Sequence, residues 1–264
     1  MDKLNKFKAK AIIFDKDGTL IDFDAMWGSW TLVIADRLNA LSKIPMRKAL
    51  CLAFGYDHVR RKVLADGKLA ATPMWQLYDL TVEVVQSQGV DMETAKQLVE
   101  KAWVIPEPVE LAKPFTDTRA LFSRLYQQGI KIAIATTDDR DPTQAMIDAF
   151  DIGEYIETMV CSDDGIQAKP APDMVLTICQ RMGVEPSEVM VVGDTTADLK
   201  MARSANVGLV VGVLSGVSSA RDLIPFADVL IESVDELKLY SIAHPITNSE
   251  HGHALTGLNP DIAV

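Results

Sequence analysis

The chain of 264 residues contains the run Asp15-Lys16-Asp17-Gly18-Thr19-Leu20, in which two carboxylates stand two residues apart directly after an apolar stretch ending at Phe14. If extended backbone continues through them, both side chains leave on the same face, and Gly18 lets the chain turn sharply afterwards. Such a pair can share a divalent cation and also give and take protons. Taken alone, the same pattern also describes an Asp-rich turn after a strand. By the same alternation the side chain of Lys16 points away from the pair, and no role is expected for it.

Three further clusters keep this pair company. Thr136-Thr137-Asp138 follows the apolar run Ile130–Ala135 and offers hydroxyls and backbone N–H groups where an anion could sit. Lys169 stands immediately before Pro170 and the helical pattern Asp173–Met182. Gly193-Asp194-Thr195-Thr196-Ala197-Asp198 follows Val189–Val192 and supplies two carboxylates four apart, a spacing that one helical turn would align.

The elements that must position these clusters alternate in type. Ala9–Phe14, Ile130–Ala135, Ile156–Cys161, Val189–Val192, Val207–Val213 and Val229–Ile231 are short apolar runs without polar alternation, as in strands of a parallel sheet covered on both faces. Helical patterns such as Thr116–Gln128 and Asp173–Met182 lie between them, stopped by Gly129 and Gly183. The expected fold is α/β, a doubly wound parallel sheet with its site at the carboxyl ends of the strands, where every polar cluster falls. Residues 22–109 break the rhythm. They show no buried strand, but helical spacing over Trp30–Ala40, Pro45–Phe54, Met74–Gln88 and Met92–Val104, with all four tryptophans among them. The expected organisation is a Rossmann-like core of residues 1–21 and 110–240, an inserted helical cap of 22–109, and a tail of 241–264. A Pro-containing connector, Val104–Pro114, leads out of the cap.

DKDGTL, the Thr pair after the second strand, the Lys-Pro pair and GDTTAD, in this order, resemble the motifs of the haloacid dehalogenase-like hydrolases in their phosphatase branch with a helical cap. The resemblance covers about Ala9 to Leu239, and the cap length is similar to that of phosphoglycolate phosphatase and β-phosphoglucomutase relatives. It implies Asp15 as the nucleophile that becomes an aspartyl phosphate. Asp17 would be the general acid and then the base, Thr136 with Gly18 and Thr137 the phosphate clamp, and Lys169 the cation holding nucleophile and phosphoryl group together. It further implies Mg²⁺ held by Asp15, Asp194 and the backbone carbonyl of Asp17, with Asp198 aiding through water or by orienting Lys169. In the family an Asp at the position of Asp17 accompanies phosphoester hydrolysis and phosphomutases, whereas Tyr accompanies dehalogenases. Two departures are Thr137, where many relatives carry Asn, and Asn206, where they carry Gly. Asn also enters left-handed backbone.

The expected activity is therefore Mg²⁺-dependent hydrolysis of a small phosphomonoester of the 2-phosphoglycolate or sugar-phosphate type. The alternatives are a β-phosphoglucomutase-like mutase and a non-catalytic phospho-ligand-binding relative. With 26 Lys+Arg against 37 Asp+Glu, the net charge of −11 gives no long-range attraction to nucleic acid or to an anionic membrane. An anionic substrate would need a local positive charge. Cys51, Cys161 and Cys179 lack metal-site or disulfide spacing, and no apolar region of signal-peptide length follows the N-terminal lysines, so a cytoplasmic protein, monomeric or homodimeric, is expected. Within the insertion, Arg60-Arg61-Lys62 reads as a solvated helix face, and Lys68 beside Gly67 as a candidate specificity residue. His251 and His253 in the tail carry no ligand spacing.

Overall fold

Six apolar runs pair into one parallel sheet in the computed structural model, which describes residues 2–64, 67–72, 74–104 and 112–240. The strands are β1 (Ala11–Phe14), β4 (Lys131–Ala135), β5 (Ile156–Val160), β6 (Val189–Gly193), β7 (Leu209–Val213) and β8 (Val229–Ile231). Their order is β5-β4-β1-β6-β7-β8. β1 is central, with Ile13 opposite Ala133 on one side and Val191 on the other. Chain order reverses across β1, which opens a crevice at the carboxyl ends of β1, β4 and β6.

Side-chain alternation along β1 divides the core into two layers. Ile12 and Phe14 join Leu121, Phe122, Leu125 and Val192 on one face, while Ala11 and Ile13 join Met174, Ile178 and Leu199 on the other. Helices therefore cover both faces: α7 (Thr118–Gln127) on the first, α9 (Asp173–Met182) and α10 (Thr196–Ser204) on the second. The ladders are shorter than several apolar runs, since Ala9, Ile130, Cys161 and Val207 lie beyond the paired register. β5, at the sheet edge, is only partly buried. Asn206 has φ of +56° after α10, the left-handed conformation expected of it.

Between β1 and β4 the chain builds α2 (Phe23–Ser42), α3 (Arg47–Phe54), α4 (Lys68–Ala71), α5 (Met74–Ser87) and α6 (Met92–Ala102). These helices share their own apolar cluster around Trp30, whose ring stacks on Phe54 at 5.9 Å and meets Trp103 edge-on at 5.2 Å. Trp75, by contrast, is exposed. One departure from the helical expectation is a two-stranded hairpin of β2 (Tyr56–Asp57) and β3 (Lys62–Val63). Arg60, Arg61 and Lys62 lie on it rather than on a helix face: Gly55 ends α3 in left-handed backbone, and Asp57 accepts from the Val59 and Arg60 N–H groups to make the turn. The chain enters and leaves this unit on adjacent paths, with the Asp22 N–H donating to Lys113 O at 2.7 Å and the Phe115 N–H to Leu20 O at 3.1 Å. Residues 105–111 of the expected connector, the boundary at 109/110, and the tail with His251 and His253 lie outside the described residues.

α1 (Asp2–Lys6) and Tyr240 join the two ends of the described chain. The Tyr240 hydroxyl donates to Phe7 O at 2.7 Å and accepts from the buried Ala9 N–H at 3.0 Å. Among the described residues no helix is long and apolar enough to cross a membrane.

Candidate active site

Each strand end at the crevice delivers one polar group. Asp15 follows β1, its N–H donating to Val192 O at 2.9 Å. Thr136 follows β4 and is buried, with its Oγ1 accepting from the Asp138 N–H at 3.1 Å. Asp194 follows β6 and is buried as well. Lys169 comes from the loop between β5 and α9. A cavity of about 530 Å³ is lined by Asp15, Asp17, Thr137, Lys169, Asp198 and Ser218, among others.

Charge dominates this cavity. Lys169, with its side chain only 3% exposed, reaches Asp15 Oδ1 at 2.6 Å and Asp198 Oδ1 at 2.5 Å. Burial works against its ammonium, but Asp15 and Asp198 outweigh burial and hold Lys169 above the ordinary lysine range. Asp15, Asp194 and Asp198 each place a carboxylate oxygen within 4.8 Å of the others. Burial is the main cause that pushes Asp15 up to about 7, against the pull of Lys169. Asp194 is driven well above the usual carboxylate range by burial and then by its two acidic neighbours. Three buried carboxylates facing one ammonium leave unbalanced negative charge, and hard oxygen donors suit a hard divalent cation. The donor set thus fits a metal.

The two later aspartates are not aligned by a helical turn, because Asp194 precedes α10 and sits at the strand end. Asp198 lies in the first turn of α10, where its Oδ2 accepts from the Thr195 N–H at 2.9 Å and from Thr195 Oγ1 at 2.5 Å. Asp198 thus caps the helix start through Oδ2 and pairs with Lys169 through Oδ1. Gly18 has φ of +83°, and its N–H donates to Ile21 O at 2.8 Å, so it shapes the turn instead of offering a donor to an anion. A Cβ there would come within 2.5 Å of Asp194 Oδ2.

Lys16 departs most from expectation. Strand alternation ends at Phe14, and the turn that follows swings the Lys16 side chain inward: Nζ lies 2.9 Å from Asp17 Oδ2 and 2.7 Å from Asp138 Oδ2. The other oxygen of Asp17, Oδ1, is buried with no hydrogen-bond partner among the described residues. In the insertion, Lys62 pairs with Asp24 at 2.8 Å and Arg60 with Asp57 at 3.7 Å, while Lys68 is exposed. None of these cations lines the cavity.

With this geometry in place, a family model described as haloacid dehalogenase-like hydrolase matches residues 9–206. The chain belongs to the haloacid dehalogenase-like hydrolase family. This hydrolase is 31% identical over 245 residues to a phosphoglycolate phosphatase of Shigella dysenteriae, covering 89% of this chain and 93% of that one. It is 25% identical over 239 residues to the pyrophosphatase PpaX of Bacillus velezensis, covering 87% and 95%. A haloacid dehalogenase family hydrolase from Deinococcus radiodurans superposes with a TM-score of 0.61 at 16% identity, over 88% of this chain and 94% of that one, a likeness of fold.

The hydrolase also uses a loop that the motif reading passed over. After β7, Ser215 Oγ donates to Gly18 O at 2.8 Å and the Val217 N–H donates to Asp194 Oδ2 at 2.9 Å. Thr19 Oγ1 adds a long contact to Asp194 Oδ1 at 3.4 Å. The signal was available: Ser215-Gly216 follows the apolar run Val207–Val213 as the other clusters follow theirs.

Proposed function

We propose that this phosphatase hydrolyses a small phosphomonoester through an aspartyl-phosphate intermediate on Asp15, with Mg²⁺ as its cofactor. The observation that carries the reading is the buried pairing of Asp15 with Lys169 at 2.6 Å, on the wall of a cavity that Asp17 also lines. The phosphoglycolate phosphatase and pyrophosphatase relatives support hydrolytic phosphoryl transfer, and fold kinship does not choose among substrates.

Asp15 and Asp194, with the backbone carbonyl of Asp17, would hold the metal, and Asp198 would act behind them through Lys169. A divalent cation bound there supplies positive charge to phosphoryl oxygens that the surrounding carboxylates would otherwise repel. Lys169 adds a fixed charge on the same side and holds Asp15 in place. An Asp15 oxygen attacks phosphorus as the bond from phosphorus to the ester oxygen breaks, and the departing oxygen takes its electron pair and a proton from Asp17. Water then attacks phosphorus while Asp17 takes back a proton. The bond to Asp15 breaks, inorganic phosphate leaves, and the aspartate is restored. Thr136 and Thr137 would face the phosphoryl oxygens. The helical unit between β1 and β4, on its adjacent connectors, would act as a cap over the crevice.

The test is a panel of phosphomonoesters, including p-nitrophenyl phosphate, 2-phosphoglycolate and sugar phosphates, assayed for released phosphate with Mg²⁺, with EDTA and with Asp15→Asn. Metal-dependent release that Asp15→Asn abolishes supports the reading, and no release from any ester refutes it. Isomerised β-glucose 1-phosphate without free phosphate would assign a mutase instead.

A further inference from the structure

Lys16 is the second buried ammonium of the site, and the steps above assign it nothing. Its side chain is 3% exposed, a depth at which lysine is rare without partners. It has two, Asp17 Oδ2 at 2.9 Å and Asp138 Oδ2 at 2.7 Å, and so links the turn after β1 to the loop after β4. Both ends of this link are anchored. The Lys16 carbonyl accepts from the Leu20 and Ile21 N–H groups at 2.8 and 3.1 Å. The Asp138 N–H donates to Thr136 Oγ1, and its carbonyl accepts from the Ser162 N–H at 3.0 Å. Lys16 engages Oδ2 of Asp17, and Oδ1 is buried without a partner among the described residues, so the carboxylate is held in one orientation.

We propose that Lys16 and Asp138 are positioning residues that lock the carboxylate of Asp17 in register with the Thr136 loop for its exchange of protons with the leaving oxygen. The inference rests on the role proposed for Asp17. Proton transfer depends on a donor within hydrogen-bond reach of a defined atom, so a carboxylate free to rotate loses rate even when its charge and the nucleophile are intact. The effect on the first step, phosphoryl transfer to Asp15, which kcat/KM reads, must therefore track how much the leaving group needs a proton. An alkoxide needs one, whereas p-nitrophenolate leaves as a stable anion.

The experiment compares the full-length protein with Lys16→Met, Lys16→Arg and Asp138→Ala in Mg²⁺, on p-nitrophenyl phosphate and on the best alkyl phosphate of the panel. Lys16→Met is expected to lower kcat/KM on the alkyl ester roughly ten- to hundredfold, a part of the roughly 10²–10⁴ that a positioned acid supplies. The ratio of alkyl to p-nitrophenyl kcat/KM should fall about tenfold, with Lys16→Arg restoring part of it. Asp138→Ala, at a side chain 37% exposed, should move the ratio in the same direction, and it carries the test if Lys16→Met does not fold. Equal loss of kcat/KM on both esters, or an unchanged ratio in Asp138→Ala and Lys16→Met, overturns the proposal. Asp15→Asn in the same assay keeps the two readings apart: turnover surviving that change refutes the nucleophile itself, whatever Lys16 does.

Discussion

Gly216 lies so close over Asp194 that no side chain can be built on it: a Cβ there would overlap Oδ2, Cγ and Cβ of the aspartate. Asp194 is buried beneath this loop and held by the Val217 N–H, so it has nowhere to retreat. Gly216→Ala should displace the carboxylate by a sizeable fraction of an ångström and reduce kcat about 100-fold, as small misplacements at reacting centres do. Steady-state kinetics beside a circular dichroism spectrum separates this from unfolding. A variant with parental turnover would remove Asp194 from the machinery.

Mg²⁺ should stabilise the protein as well as activate it, because the cluster of Asp15, Asp194 and Asp198 carries more negative charge than Lys169 balances. At 100 times its Kd a ligand specific to the folded state contributes about 2.7 kcal/mol, which raises Tm by roughly 5–10 °C for a chain of this size. Thermal melts in EDTA and in Mg²⁺ measure the shift, and Asp194→Asn should shrink it.

The metal-free protein should lose stability as pH rises toward neutrality. Burial raises Asp15 from an ordinary 3.8 to about 7, so between those values the folded state binds more protons than the unfolded one. Stability then falls with increasing pH, being fully present below pH 3.8 and lost as pH passes through 7. Urea denaturation in EDTA from pH 4 to 8 should show this slope in the parent and a shallower one in Asp15→Asn. Parallel curves would show that Asp15 is not the group responsible.

Tyr240 provides a prediction away from the chemistry. Removing its hydroxyl strands the buried Ala9 N–H and the Phe7 carbonyl, so Tyr240→Phe should cost about 1–3 kcal/mol. Turnover at 25 °C should stay at the parental level. A fall in kcat would instead mean that the strand–tail junction below β1 reaches Asp15.

Much of the scaffold was legible because its signals are local. Runs such as Val189–Val192 and Val229–Ile231 are short and apolar at every position, as suits strands of a covered parallel sheet, and the polar cluster after Val189–Val192 marks the crevice. The hairpin carrying Arg60 to Lys62 was not legible. Its ladder is two residues long, and it is held by Asp24 Oδ1, which accepts from the Val63 N–H at 2.6 Å across 39 residues.

Lys16 marks the boundary between the two kinds of information. Residue type, order and spacing by themselves determined a doubly wound sheet, an inserted helical segment, membership in the hydrolase family, and which aspartates gather at the strand ends. Where each side chain points after a strand stops, which carboxylate oxygen a lysine engages, and whether Gly18 offers its N–H to a ligand or to Ile21 were decided only by the tertiary structure. Alternation is a property of extended backbone. It ends with the ladder at Phe14, and beyond it direction is set by contacts with loops more than a hundred residues away, such as that of Lys16 with Asp138.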